Sequence, residues 1–146
     1  MWQALLNKYA IEAAAFSGRE IGILQSLREV PGFLAFTTVF VLLVLREQTF
    51  AIIAVAVLGL GVALTGLMPY EYGLYFTTVL MSTGFHYFYT VQQSLTLQWI
   101  AKEKTPEVMG RLSSASSVAA LLAFGAVWAG MEFLGFGYRG LYLVAG

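Results

Sequence analysis

The chain contains no cysteine and no aspartate, and it has a single histidine among 146 residues. Without cysteine there is no disulfide, no thiol nucleophile and no thiolate metal ligand, and the redox compartment leaves no mark on the sequence. One histidine with no cysteine or aspartate to join it does not complete a metal site. Charge is scarce as well: 11% of residues are charged, 59% are hydrophobic, and the mean hydropathy is +0.76. A soluble domain carries roughly 25% charged residues, so a soluble fold would lack the polar surface to cover itself. The expectation is an integral membrane protein of the all-α class, with the lipid bilayer as its first partner. The net charge of zero gives no reason to expect nucleic acid. Met1 to Phe16 does not read as a signal peptide, because it has no basic start and Lys8 and Glu12 interrupt it.

What is present is long uncharged sequence. Tyr72 to Ala101 is 30 residues without a charged side chain, and Gln48 to Tyr70 is a second such run, separated from it only by Glu71. A spanning helix needs about 20 apolar residues, so the two runs read as a transmembrane hairpin. Helical segments are expected at roughly 2–16, 18–45, 50–68, 74–100 and 112–131, with an incomplete one at 140–146. That makes five to six spans in one transmembrane domain, read as truncated at both ends. Ser17 with Glu20 fits a capping box opening the second segment, and Pro31-Gly32 predicts a kink within it. Lys102 to Arg111 reads as a charged loop. Arg46, Lys102, Lys104 and Arg111 share one side, against Arg19, Arg28 and Arg139 on the other. This bias favours a cytoplasmic location for the 46–49 and 101–111 loops, in a bacterial-type inner (plasma) membrane.

The second uncharged run is unusually polar for a lipid-facing helix. Ser82, His86, Thr90 and Gln93, with Tyr89 beside them, recur at three- and four-residue spacing and share one face. Uncharged polar groups on a spanning helix face protein or a water-filled path, because lipid does not satisfy them. The functional reading is a cavity wall that hydrogen-bonds a small solute; the structural one is interhelical hydrogen bonding, worth about 0.6–2 kcal/mol per contact. His86 suits either proton coupling or a neutral hydrogen bond. Arg28 and Glu29 lie just before Pro31, either as an anion site or gating pair, or on a part of the helix that reaches past the hydrocarbon, where Arg28 snorkels. Lys8 and Glu12 form a solvated pair four residues apart or face Arg28 and Glu29 across a cavity. Ser113 to Ser117 with Ala119, Ala120 and Ala123 read as a packing face. No nucleophile–base pair is visible, so an enzyme is not expected, and nothing calls for a cofactor.

Three stretches carry a resemblance. Ser17 to Gly22 looks like the outward turn into helix two of the major facilitator superfamily of secondary transporters. Thr105 to Ser114 is similar to that family's cytoplasmic turn between helices four and five, and Gly137 to Leu143 resembles the beginning of its helix six. The chain as a whole resembles the amino-terminal six-helix half. The resemblance implies a fragment of a transporter that binds a small solute near the membrane midplane and alternates access by rocking two halves, its carboxyl-terminal half being absent. It implies that helices one and four line the path while three and six face lipid. The family's Gly-, Asp- and Arg-rich loop between helices two and three is reduced here to Arg46-Glu47. Where the family's helix four carries an arginine four residues before a glycine, Leu80 precedes Gly84, and the Gly-Pro pair of drug antiporters is missing from helix five. A non-transporting bundle whose polar face meets partner helices is the alternative.

Overall fold

The computed structural model describes residues 2–133 and 135–146. The described residues form helices joined by short turns, with no strand among them: α1 (Trp2–Ala14), α2 (Gly18–Phe33), a 3₁₀ turn (Leu34–Thr37), α3 (Thr38–Leu42), α4 (Glu47–Thr65), α5 (Glu71–Trp99), α6 (Thr105–Phe133) and α7 (Tyr138–Ala145). The all-α class expected from the composition is the class observed. Two helices, α4 and α6, are long and apolar enough to cross a membrane by length and composition. The 29-residue α5 is about 43 Å long at 1.5 Å per residue, more than the roughly 30 Å of a hydrocarbon core; its polar residues keep it outside that pair.

Local chemistry explains where the helices begin and end. Ala15 takes a left-handed conformation (φ 54°), and the Phe16 N–H returns to the Ala10 carbonyl, a closing bond of the kind that terminates helices. The chain is then free to restart, and it does so with the expected capping box. The Ser17 hydroxyl accepts from the Arg19 N–H at 3.3 Å while the Glu20 carboxylate accepts from the Ser17 N–H at 2.9 Å.

Four expected segments differ in the structure. The one expected as a single kinked helix over 18–45 is three pieces: Pro31 has no N–H to give the Leu27 carbonyl, and a 3₁₀ turn begins three residues later, at Leu34. The stretch expected as a charged loop over 102–111 is mostly helix: Pro106 sits in the first turn of α6, where a missing N–H costs nothing. Arg111 and Glu107, one turn apart, pair there at 2.6 Å. The segments expected at 50–68 and 74–100 each begin three residues earlier, at Glu47 and Glu71, since a glutamate is favoured in a first helical turn by the helix dipole.

The antiparallel pair α4–α5 is the centre of the packing; α2 lies against α5 and α7 against α4. A Cβ added at Gly84 would stand 2.5 Å from the Leu58 backbone nitrogen and 2.6 Å from the Ala54 carbonyl oxygen. One at Gly61 would stand 2.9 Å from the Met81 backbone nitrogen. A glycine on each helix thus admits the backbone of the other, the small-residue route to close helix association. The buried core lies toward the end of the molecule where the 15–17, 66–70 and 135–137 connections run. It joins Leu6, Tyr9 and Ala10 of α1 to Leu24, Val62, Leu74, Met81 and Tyr142. Helix α6 is different: residues 110–119 are all exposed, so the small-residue face read as a packing face is covered by no described helix of the chain.

Gly84→Ala is expected to destabilise by about 1–3 kcal/mol, the usual cost of overpacking, lowering the melting temperature in mild detergent by several degrees. Gly125→Ala, where an added Cβ meets nothing within 4 Å, is expected to be neutral or stabilising, because alanine is the better helix former. Equal melting temperatures for the two variants would remove the close approach from the account.

Candidate functional site

The polar residues of α5 fall on two faces with different tasks. The first face holds the broken second segment. Ser82 donates its hydroxyl to the Arg28 carbonyl, the Thr37 and Tyr87 hydroxyls are hydrogen-bonded to each other, and Tyr87 also reaches the Leu34 carbonyl at 3.4 Å. The His86 ring lies on the backbone of Gly32: an added Cβ there would stand 2.8 Å from Cε1 and 3.0 Å from Nε2. A segment interrupted near a proline gains from outside donors and packing: Ser82 and Tyr87 donate to its carbonyls and the His86 ring packs on it.

The second face opens on a cavity of about 480 Å³, within the roughly 300–1,000 Å³ usual for small-molecule sites. From α5 it is lined by Phe85, Phe88, Tyr89, Gln92, Gln93 and Thr96; from α6 by Met109, Leu112, Ser113 and Ser116; and from α4 by Leu58. Residues 85, 89, 92 and 96 advance at four- and three-residue steps, placing them about a quarter turn around α5 from 82, 86 and 90 at 100° per residue. The Phe85 and Tyr89 rings lie nearly parallel, 13° between planes and 6.1 Å between centroids. Thr96 donates to the Gln92 carbonyl at 2.8 Å, which leaves its oxygen able to accept. The Gln92 and Gln93 amides and the Ser113 and Ser116 hydroxyls make no side-chain hydrogen bond among the described residues. The wall therefore combines an apolar aromatic plate with unengaged uncharged donors and acceptors, and no Lys, Arg, Asp, Glu or His lines it.

Beyond the cavity, the end of α5 is tied to the start of α4. Glu47 accepts from Ser94 at 3.0 Å and from Gln98 at 2.7 Å, and Gln98 bonds Ser94 at 3.1 Å. The cavity runs from the middle of α5 toward this end, where Arg46, Lys102, Lys104 and Arg111 also lie.

Of the nine residues singled out from the sequence, Tyr89 and Gln93 line the cavity. Ser82 and His86 face α2, as described. The Thr90 hydroxyl donates to the His86 carbonyl at 2.8 Å and so stays within its own helix. Arg28 closes on its neighbour Glu29, with Nε at 3.0 Å and Nη2 at 2.9 Å from one carboxylate oxygen. The pair is lopsided, with Arg28 23% and Glu29 63% exposed. Lys8 and Glu12 form the exposed pair expected for a solvated helix face, 3.9 Å apart. Glu12 takes a hydrogen bond from Tyr138 of α7 rather than meeting Arg28 or Glu29, while Gln25 of α2 donates to Asn7 of α1 at 2.7 Å. The sequence reading missed Phe85, Phe88, Gln92 and Thr96, although their spacing was visible, and the α6 wall, whose serines read as packing.

Comparison of the chain with protein-family models, curated proteins and solved structures returned no match.

The double substitution Ser82→Ala with Tyr87→Phe removes the two hydroxyls that brace the broken segment, while the aromatic ring at 87 and both backbones stay. It is expected to lower stability by about 1–2 kcal/mol, at roughly 0.6 or more per interhelical bond, and to speed hydrogen exchange of residues 33–37 specifically. Unchanged exchange across that turn would leave the two hydroxyls without a bracing role.

Proposed function

We propose that the chain is part of a major facilitator-type membrane transporter that moves a small solute across the bilayer by alternating access. The observation that carries the reading is the cavity along α5, concave, aromatic and furnished with unengaged amides and hydroxyls, in a chain that is 59% hydrophobic and 11% charged. The helix resembling helix four of the family, which lines the path there, is the one that carries the cavity's polar wall. The buried core lies toward the other end of the bundle, and the cavity runs toward the basic end, taken as cytoplasmic on the charge bias. Rocking of two halves around such a site is how these transporters expose it alternately to each side. The other half in that scheme is the family's carboxyl-terminal six helices.

A second reading has one observation in its favour. The exposed small-residue stretch of α6 suits close contact with another helix, as in a non-transporting bundle that binds partner helices. Within a transporter the same face is available to the second half, so exposure of α6 is compatible with both readings. Solute movement separates them.

The protein expressed from its complete reading frame and reconstituted in liposomes is expected to take up solute from a screened panel. Gln93→Ala, which removes one amide from the cavity, is expected to raise KM for that solute about three- to tenfold, the worth of one hydrogen bond of about 0.5–1.5 kcal/mol. His86→Ala is expected to change stability more than KM, because His86 packs on Gly32. Absence of uptake for every solute, with folded protein, would favour the partner-helix reading.

A further inference from the structure

We infer that the α5–α6 cavity binds a neutral, multiply hydroxylated ring solute, a free sugar or a nucleoside, and rejects solutes with net charge. The inference rests on the transport reading for its physiological meaning, but the chemistry is that of the cavity itself. No charged side chain lines the cavity. A charged solute seated against the wall gives up part of its hydration, and no lining side chain offers a counter-charge in return. A carboxylate, a phosphate ester or an amine is therefore disfavoured by what the wall lacks.

What the wall has narrows the class further. Gln92 and Gln93 each offer an amide with two donor hydrogens and an acceptor oxygen, and Ser113 and Ser116 each offer a hydroxyl that both donates and accepts. A purely apolar solute would cover these groups without pairing them, the situation by which sites built for hydrogen bonding reject apolar analogues. A solute bearing several hydroxyls pairs with them, since a hydroxyl also both donates and accepts. On the same α5 wall, one turn before the amides, the nearly parallel rings of Phe85 and Tyr89 add aromatic surface. The C–H face of a sugar ring or the π-face of a base packs on such aromatic surface, while edge hydroxyls reach the amides on α5 and the serines on α6. One apolar face and a hydroxylated rim is the shape of solute that satisfies the aromatic and the polar parts of the lining together.

The test is equilibrium binding to the protein in lipid nanodiscs, read with three radiolabelled probes of matched size: methyl β-D-glucopyranoside, uridine and glucose 6-phosphate. Saturable binding of the glucoside, of uridine or of both is expected, with glucose 6-phosphate weaker by about a hundredfold or more, as expected for an unpaired charge. Binding by one neutral probe assigns the ring to a free sugar or to a nucleoside. Gln93→Leu and Ser116→Ala, on opposite walls, are each expected to weaken the bound neutral probe by about three- to tenfold, with elution as a monodisperse species showing that the variants fold. Glucose 6-phosphate binding as tightly as the neutral probes would overturn the inference, as would binding by none of the three or binding indifferent to both substitutions. Uptake of the same probes into liposomes separates the two levels. A neutral probe that binds but is never transported contradicts the transport reading and keeps the ligand class. A charged solute that is transported keeps the transport reading and contradicts the ligand class.

Discussion

The backbone contact between α4 and α5 is the constraint on which the rest of the structure depends. With Gly84 against Ala54 and Leu58, and Gly61 against Met81, the two helices approach so closely that no side chain fits at position 84 or at position 61. Met81 stays within the contact, buried against Gly61, while the polar side chains of α5 lie on its flanks. One flank carries Ser82, His86 and Tyr87 toward the second segment; the other carries Phe85, Tyr89, Gln92, Gln93 and Thr96 toward α6. A bulkier residue at 84 would push α5 away from α4 and turn both flanks at once.

The two flanks solve different problems with similar residue types. Pro31 removes one donor from the ladder of the second segment, and hydroxyls of α5 add bonds to the Arg28 and Leu34 carbonyls on either side of it. Those hydroxyls are spent on structure. The amides and serines around the cavity are not, and this difference, rather than polarity itself, separates a brace from a binding wall. The ionisable residues sort in the same way. Arg28 is neutralised by Glu29, Glu12 is engaged by Lys8 and Tyr138, and Glu47 by Ser94 and Gln98, so these three carboxylates have their partners outside the cavity.

The all-α class could be read from composition and from the two uncharged runs, because low charge and long apolar stretches leave few other folds; the five to six spans expected could not, since two helices are long and apolar enough to cross a membrane. The capping box at Ser17 and Glu20 could be read because its chemistry is local. The division of α5 into two faces could not. Ser82, His86, Thr90 and Gln93 share a spacing, yet which neighbour each meets depends on where α2 and α6 sit, and that is set by glycine contacts with no periodic signature. Ser82 thus proved to be a donor to the Arg28 carbonyl, while Gln93, eleven residues on, lines the cavity. The serines of α6 were legible as small residues but not as a cavity wall, since smallness alone does not say which helix stands opposite. The first turn of α6 was hidden by its charges and by Pro106, which mark a loop as readily as a helix start.

The absence of cysteine makes the central claim, that one flank of α5 is a water-accessible solute path and the other a packed brace, open to direct measurement. Single substitutions Gln93→Cys, Ser113→Cys and Ser82→Cys, each in the full protein in native-like vesicles, can be titrated with a polar, membrane-impermeant thiol reagent added to the basic-end side. The account predicts rapid modification at 93 and 113, slowed by bound solute, and none at the buried position 82. Modification at 82 with positions 93 and 113 inert would contradict it.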